Sequence, residues 1–221
     1  TLGVNTLLLL VAFLLLRPLS GSAGALLCIL LIVLDPYFAG HARLLNHEAL
    51  MCLFLLVSVL SLFSHLEWKK SNMLVILSGA AAGLALLTKS SSTLIIPFAS
   101  LMVGVHLLEQ WRTNRQFKAH LFEALKTLLI WLAVLALVYF LLWPGMWVNP
   151  VKMLHEVYGN AFSYAFQGQG LVITGELNPQ EFGLESSGIA SYVNALLWGT
   201  TPLIWFGIVL ASAALLSRGR R

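Results

Sequence analysis

The 221-residue chain is 59% hydrophobic and only 10% charged, with a mean hydropathy of +0.87. Soluble globular domains carry about 25% charged residues, so this composition excludes a water-soluble enzyme or carrier. The formal net charge of +4 is spread over short connections with no basic patch among aromatics, which excludes a nucleic-acid surface.

A bilayer-spanning helix needs about 20 mostly apolar residues. In chain order the candidates are 2–16, 19–34, 49–66, 72–88, 90–108, 127–147 and 188–216. They predict an all-α, polytopic transmembrane helix bundle of about seven spans. No repeat or low-complexity linker divides the chain, so 1–221 reads as a single transmembrane domain. Thr1 already lies in an apolar run, without an initiator Met or a basic leader, and the first span is short; an upstream part is expected to be missing. Cys28 and Cys52 fall within apolar runs and read as packing residues.

Lys and Arg alternate between connections. Arg17, then Lys69 and Lys70, then Arg112, Arg115, Lys118 and Lys126, then Arg218, Arg220 and Arg221 fall on one side; only Arg43, Lys89 and Lys152 fall on the other. The positive-inside rule makes the first set cytoplasmic. It places 35–48, Lys89 and the long connection 148–187 on the extracytoplasmic side of a multi-pass membrane protein. Trp68 and Trp111 would mark the inner interface, and Tyr37, Trp143 and Trp147 the outer one. Within 72–88, Gly79-Ala-Ala-Ala-Gly83 is a small-xxx-small pattern that predicts close packing on a neighbouring helix.

In the connection 148–187, Asn149-Pro150 supplies an N-cap and a first-turn proline. Val151, Leu154, Val157 or Tyr158, Ala161 or Phe162, and Ala165 then recur at helical spacing. An amphipathic helix on the outer membrane surface is expected over 150–166, followed by an irregular Gly-rich loop.

The polar residues concentrate in the stretch from Asp35 to Glu48. Charge beside hydrocarbon is unfavourable, by roughly 2.5–3.5 kcal/mol for Arg or Asp at mid-bilayer, so a cluster marks a surface turn or a site. Asp35-Pro36 repeats the capping arrangement of 149–150. Arg43 suits bidentate binding of a phosphate, or equally a snorkelling contact with ordinary headgroups. Glu48 opens the next span, where an acid complements the helix dipole. His41, His47 and Glu48 match no common zinc spacing such as HExxH, so no metal is expected there. Lys89 stands at the tip of the tight turn Leu87-Thr-Lys89-Ser-Ser-Ser-Thr93, a lone cation followed by four hydroxyls. It reads as a partner for a lipid phosphate or as a snorkelling end-of-helix lysine; a phosphate loop is ruled out because Gly83 is six residues back.

The run Leu34-Asp-Pro-Tyr-Phe-Ala-Gly-His41-Ala-Arg43-Leu-Leu-Asn-His-Glu48-Ala-Leu resembles the outer loop of family 39 glycosyltransferases. These are membrane enzymes related to protein O-mannosyltransferases and aminoarabinose transferases. Gly83-Leu-Ala-Leu-Leu-Thr-Lys89 with Pro97 and Trp143-Pro-Gly-Met-Trp147-Val-Asn-Pro150 resemble two further stretches of that family, and the likeness covers roughly 17–210. Ala42 stands where Ser is usual, and Glu48 where Asp is usual.

The resemblance implies sugar transfer from a polyprenyl-phosphate-linked donor to a protein, lipid or glycan acceptor at the outer face, among membrane lipids and with no cofactor. It also implies a catalytic carboxylate in a first outer loop upstream of Thr1, so the fragment alone is expected to be inactive. Arg43, Lys89 and His41 are then the candidates for the lipid phosphate and sugar, with Glu48 and Asp35 in support. The alternative is a transporter or flippase-like protein using the same charges. Transporters usually place such groups near mid-membrane in two related halves, a pattern this sequence lacks.

Overall fold

A computed structural model describes residues 2–43, 47–113, 117–159 and Trp205. The chain divides into two compact units, Thr1–Ala165 and Phe166–Arg221; Trp205, on a helix, is the sole described residue of the second. The described part of the first unit is helical: α1 (Leu2–Leu34), α2 (Pro36–Arg43), α3 (Glu48–Glu67), α4 (Asn72–Thr88), a 3-10 turn (Ser90–Leu94), α5 (Ile95–Thr113), α6 (Phe117–Leu142), α7 (Gly145–Val148) and α8 (Pro150–Leu154). A wider helical turn, His155–Gly159, follows α8.

Among the described residues, four helical segments are long and apolar enough to cross a membrane: Leu2–Leu34, Glu48–Glu67, Ser90–Thr113 and Phe117–Leu142. A fifth, α4, is equally apolar at 17 residues. Their outward faces carry large apolar side chains in the open, among them Leu101, Leu108, Phe122, Leu129 and Leu137. Apolar patches of this kind suit contact with lipid, not water. Of the seven expected spans, 188–216 lies outside the described residues except for Trp205.

The expected spans 2–16 and 19–34 fall in one helical run, α1, broken at Gly21 (φ 72, ψ 173) and not at Arg17-Pro18. A backbone of that shape is open essentially only to glycine, which is why the break settles there. Leu8 and Ala12 before it and Ile29 after it pack against one apolar cluster, built on Leu53, Phe54, Val57, Ala81 and Ala85 of α3 and α4. We therefore expect Gly21→Ala to lower stability by about 1–3 kcal/mol. A Cβ there would meet no neighbour within 4 Å, so the loss would come from the backbone alone. An unchanged apparent Tm in detergent would contradict it.

The span expected at 127–147 starts ten residues earlier and stops at Leu142, before Pro144. Hydropathy marks only the part that suits hydrocarbon, whereas Phe117 to Lys126 mixes Lys118, His120, Glu123 and Lys126 with helix-forming Ala and Leu.

The shortest of the long helices sits at the centre. One face of α4 offers Ala81 and Ala85 to the first cluster; another offers Val75, Ala82 and Leu86 to a second cluster with Ile95, Ala99, Val103, Trp131, Leu135 and Tyr139. The small-xxx-small pattern meets α6: a Cβ on Gly79 would lie 2.7 Å from the Trp131 carbonyl oxygen, and one on Gly83 2.9 Å from that of Leu135. Buried hydroxyls tie the same helices together. The Trp131 indole N–H donates to Ser78 Oγ (2.8 Å), and Ser78 donates to the Ser58 carbonyl (2.7 Å). The Ser58 hydroxyl, 3.1 Å from Ser78 Oγ, completes the set as a donor. In lipid no water could replace these bonds.

Candidate functional site

Packing of α3 against α4 sets the first residue of one beside the residue that ends the other. Lys89 Nζ donates to Glu48 Oε1 at 2.6 Å, with the two side chains 38% and 29% exposed. His41, from α2, brings Nε2 to 3.8 Å from the other Glu48 oxygen. Helices α2, α3 and α4 thus each contribute one polar side chain to a cluster at one end of the bundle.

Asp35 holds the entry to α2. Its Oδ1 accepts the Phe38 amide at 2.9 Å and its carbonyl accepts that of Ala39 at 2.9 Å, with Pro36 in the first turn. This is an N-cap, so Asp35 acts on the cluster by aiming α2.

After Lys89 the hydroxyls turn mostly inward. Ser92 Oγ donates to the Lys89 carbonyl and Thr93 Oγ1 to that of Ser90, both at 2.6 Å. These bonds close the 3-10 turn and fix where Lys89 leaves the helix. Ser90 instead lines, with Lys89, a cavity of about 250 Å³ whose other walls include Thr88, Tyr139, Trp143 and Val157. Tyr139 and Trp143 meet edge to face at 5.3 Å. Tyr158, in the turn after α8, brings its hydroxyl to 3.5 Å from that of Tyr139. Asn149 caps α8 as expected, its Oδ1 accepting the Lys152 amide at 3.1 Å. The rest of the expected helix 150–166, beyond Gly159, and the loop to 187 lie outside the described residues.

The structure corrects the reading of Lys89 as a lone cation: it has a carboxylate partner, because the α3–α4 contact carries Glu48 to it. Among the described residues Arg43 is the last of α2, His47 lies outside a helix, and α3 starts at Glu48. Residues 44–46 and the Arg43 side chain lie outside the described set, so Arg43 is placed only as the last residue of α2. Sequence reasoning missed Tyr139 and the Tyr158 contact. The available signal was the pair Tyr139 and Trp143, one helical turn apart at the cluster end of α6.

Aliphatic helices with lipid-suited faces, and one end holding cation, carboxylate, imidazole and aromatic groups beside a cavity, define a multi-pass membrane protein with a polar site at the membrane edge. Residues 4–143 match the family model described as dolichyl-phosphate-mannose-protein mannosyltransferase. The match covers well over half of the chain, and the protein belongs to that family: it is a membrane glycosyltransferase of the mannosyltransferase type. No curated protein and no solved structure matches it.

Proposed function

We propose that the chain transfers a sugar from a polyprenyl-phosphate-linked donor to a hydroxyl of a protein, lipid or glycan, at the Glu48–Lys89 end of the bundle. The observation that supports this is the Lys89–Glu48 pair beside the Tyr139–Trp143 cavity. A lysine ammonium has three donors, and Glu48 uses one. The others can meet a phosphate oxygen, while the aromatic rings offer an apolar wall with polar tips to the sugar or prenyl chain. Arg43, at the end of α2, supplies a second phosphate contact, and His41 with Glu48 orients the sugar.

In the transfer, the acceptor oxygen bonds to the anomeric carbon as the bond from that carbon to the phosphate oxygen breaks. The bonding pair leaves with the lipid phosphate, and the acceptor proton passes to a base. The family resemblance implies that this base is a carboxylate outside the cluster, with Glu48, paired with Lys89, and Asp35, the cap of α2, in support. Charge on the phosphate rises from about −1 to about −2 as the bond breaks, so a fixed cation binds the transition state more tightly than the donor.

The other end of the bundle carries Lys69, Lys70 and Arg112, which supports placing it in the cytoplasm and the Lys89 end outside. The two halves of α1, with α3 to α6 and 188–216, would then make seven crossings.

The test uses the full-length enzyme that contains this chain, in lipid nanodiscs, supplied in turn with polyprenyl-phosphate mannose and with nucleotide-linked mannose. Transfer from the first alone is expected, and Arg43→Gln should raise KM for that donor. Transfer from the nucleotide sugar, or from neither, would refute the proposal.

A further inference from the structure

At the opposite end of the bundle α3, α5 and α6 bring Glu67, His106, Glu109, Gln110, Thr113 and His120 around a second cavity of about 330 Å³. We propose that this is a binding site for a divalent transition metal of the zinc class, with Glu67, His106 and Glu109 as ligands and His120, on the same wall, available for a fourth position.

One donor atom from each of Glu67, His106 and Glu109 lies within 4.8 Å of the others. Ligands held at 2.0–2.2 Å around a tetrahedral ion sit about 3.4 Å apart, so closing on an ion needs small side-chain shifts. Mixed imidazole and carboxylate donors suit zinc and its neighbours better than calcium or magnesium. His106 and Glu109 are one helical turn apart on α5, and so share a face; Glu67 reaches them from the end of α3.

Hydrogen bonding accounts for only part of the cluster. His106 Nδ1 lies 3.1 Å from Glu67 Oε1, and its Nε2 lies 2.7 Å from Gln110 Nε2. With the ring proton on Nδ1, both contacts are satisfied. Two groups are left over. The Glu109 carboxylate is exposed, with no hydrogen bond or ion pair to it among the described residues, whereas His120 Nε2 is closed off from solvent with no partner. A buried ring nitrogen without a partner calls for a ligand.

An ion gives the Glu109 carboxylate a partner beside Glu67 and His106, in a cavity that His120 also lines. It takes Nδ1 of His106 after the ring proton moves to Nε2, and the Gln110 carboxamide turns its oxygen to accept that proton. A glutamine oxygen then fixes the tautomer, as the outer partners of metal-bound histidines do. The result joins the ends of α3, α5 and α6 at the membrane edge, remote from the Lys89 cluster.

The experiment titrates Zn(II) alone into the chelator-stripped protein in detergent, following bound metal and apparent Tm. One equivalent bound with a rise in Tm is expected. Co(II) in its place should give the visible absorption of a low-coordinate His/carboxylate site. Glu109→Gln leaves the Glu67–His106–Gln110 bonds in place, so it separates metal binding from folding; it should weaken Zn(II) binding by at least about tenfold. His106→Gln should abolish it. Failure of the wild-type protein to bind Zn(II), or wild-type affinity in Glu109→Gln, overturns the proposal.

Discussion

Lys89→Met is expected to lower the rate of sugar transfer by about 10²–10³-fold while the protein still inserts and folds. The size follows from the charge that develops on the departing lipid phosphate, which a fixed cation at the membrane edge meets with little water to screen it. The folding half follows from exposure: a partly exposed ion pair contributes little to stability, and methionine keeps the length and packing of the lysine stem. Glu48→Gln tests the same contact from the other side. It leaves the ammonium in place but releases it, so its loss should be smaller than that of Lys89→Met. The double variant should be somewhat worse than Lys89→Met alone, because Glu48 also orients the sugar with His41, and the shortfall from additivity measures the part that acts through the lysine. The check is turnover of polyprenyl-phosphate mannose by each variant of the full-length enzyme in nanodiscs, normalised to folded protein. Near-normal turnover in Lys89→Met would remove the phosphate assignment altogether.

That contact shows where sequence reasoning reaches and where it stops. Lys89 and Glu48 are each conspicuous as charges among aliphatic residues, and each drew attention for that reason. Their pairing was not visible, because 41 positions separate them and only the approach of α3 to α4 brings them together. Asp35 was legible because capping is local: the acceptor and the amide it serves are three residues apart. The Glu67–His106 contact, across 39 positions, left no local pattern at all.

The same division holds for the fold. Hydropathy located α3 and α4 closely, since their apolar runs end where their helices end. It misplaced the start of α6, where a mixed stretch with Lys118, His120, Glu123 and Lys126 leads into the apolar one. The chain break in α1 fell at Gly21 and not at Pro18, because φ of +72 is a demand on backbone shape and Pro18 makes none of that kind. Burial says nothing about either case.

The second large effect is expected where α4 meets α6. Gly83→Ala and Gly79→Ala should each destabilise the protein by about 1–3 kcal/mol, although alanine in a free helix interior would gain about 0.5–1 kcal/mol over glycine. The added Cβ would stand 2.9 Å from the Leu135 carbonyl oxygen in one case and 2.7 Å from that of Trp131 in the other. Both obstacles are backbone, so no side chain can turn aside and the helices themselves must part. At Gly79 that parting also stretches the bond from the Trp131 indole to Ser78. Gly104 in α5 supplies the contrast: a Cβ there meets nothing within 4 Å, so Gly104→Ala should be neutral or stabilising. Thermal unfolding in one detergent reads all three signs together. The consequence extends to the site, since α4 delivers Lys89 and α6 delivers Tyr139 to the two sides of one cavity. Moving α4 off α6 should widen that cavity, so Gly83→Ala should lose transfer activity at temperatures where it is still folded, and Gly104→Ala should not. If Gly83→Ala matched Gly104→Ala in both stability and turnover, α4 and α6 would not touch as closely as described, and the site walls would need a different support.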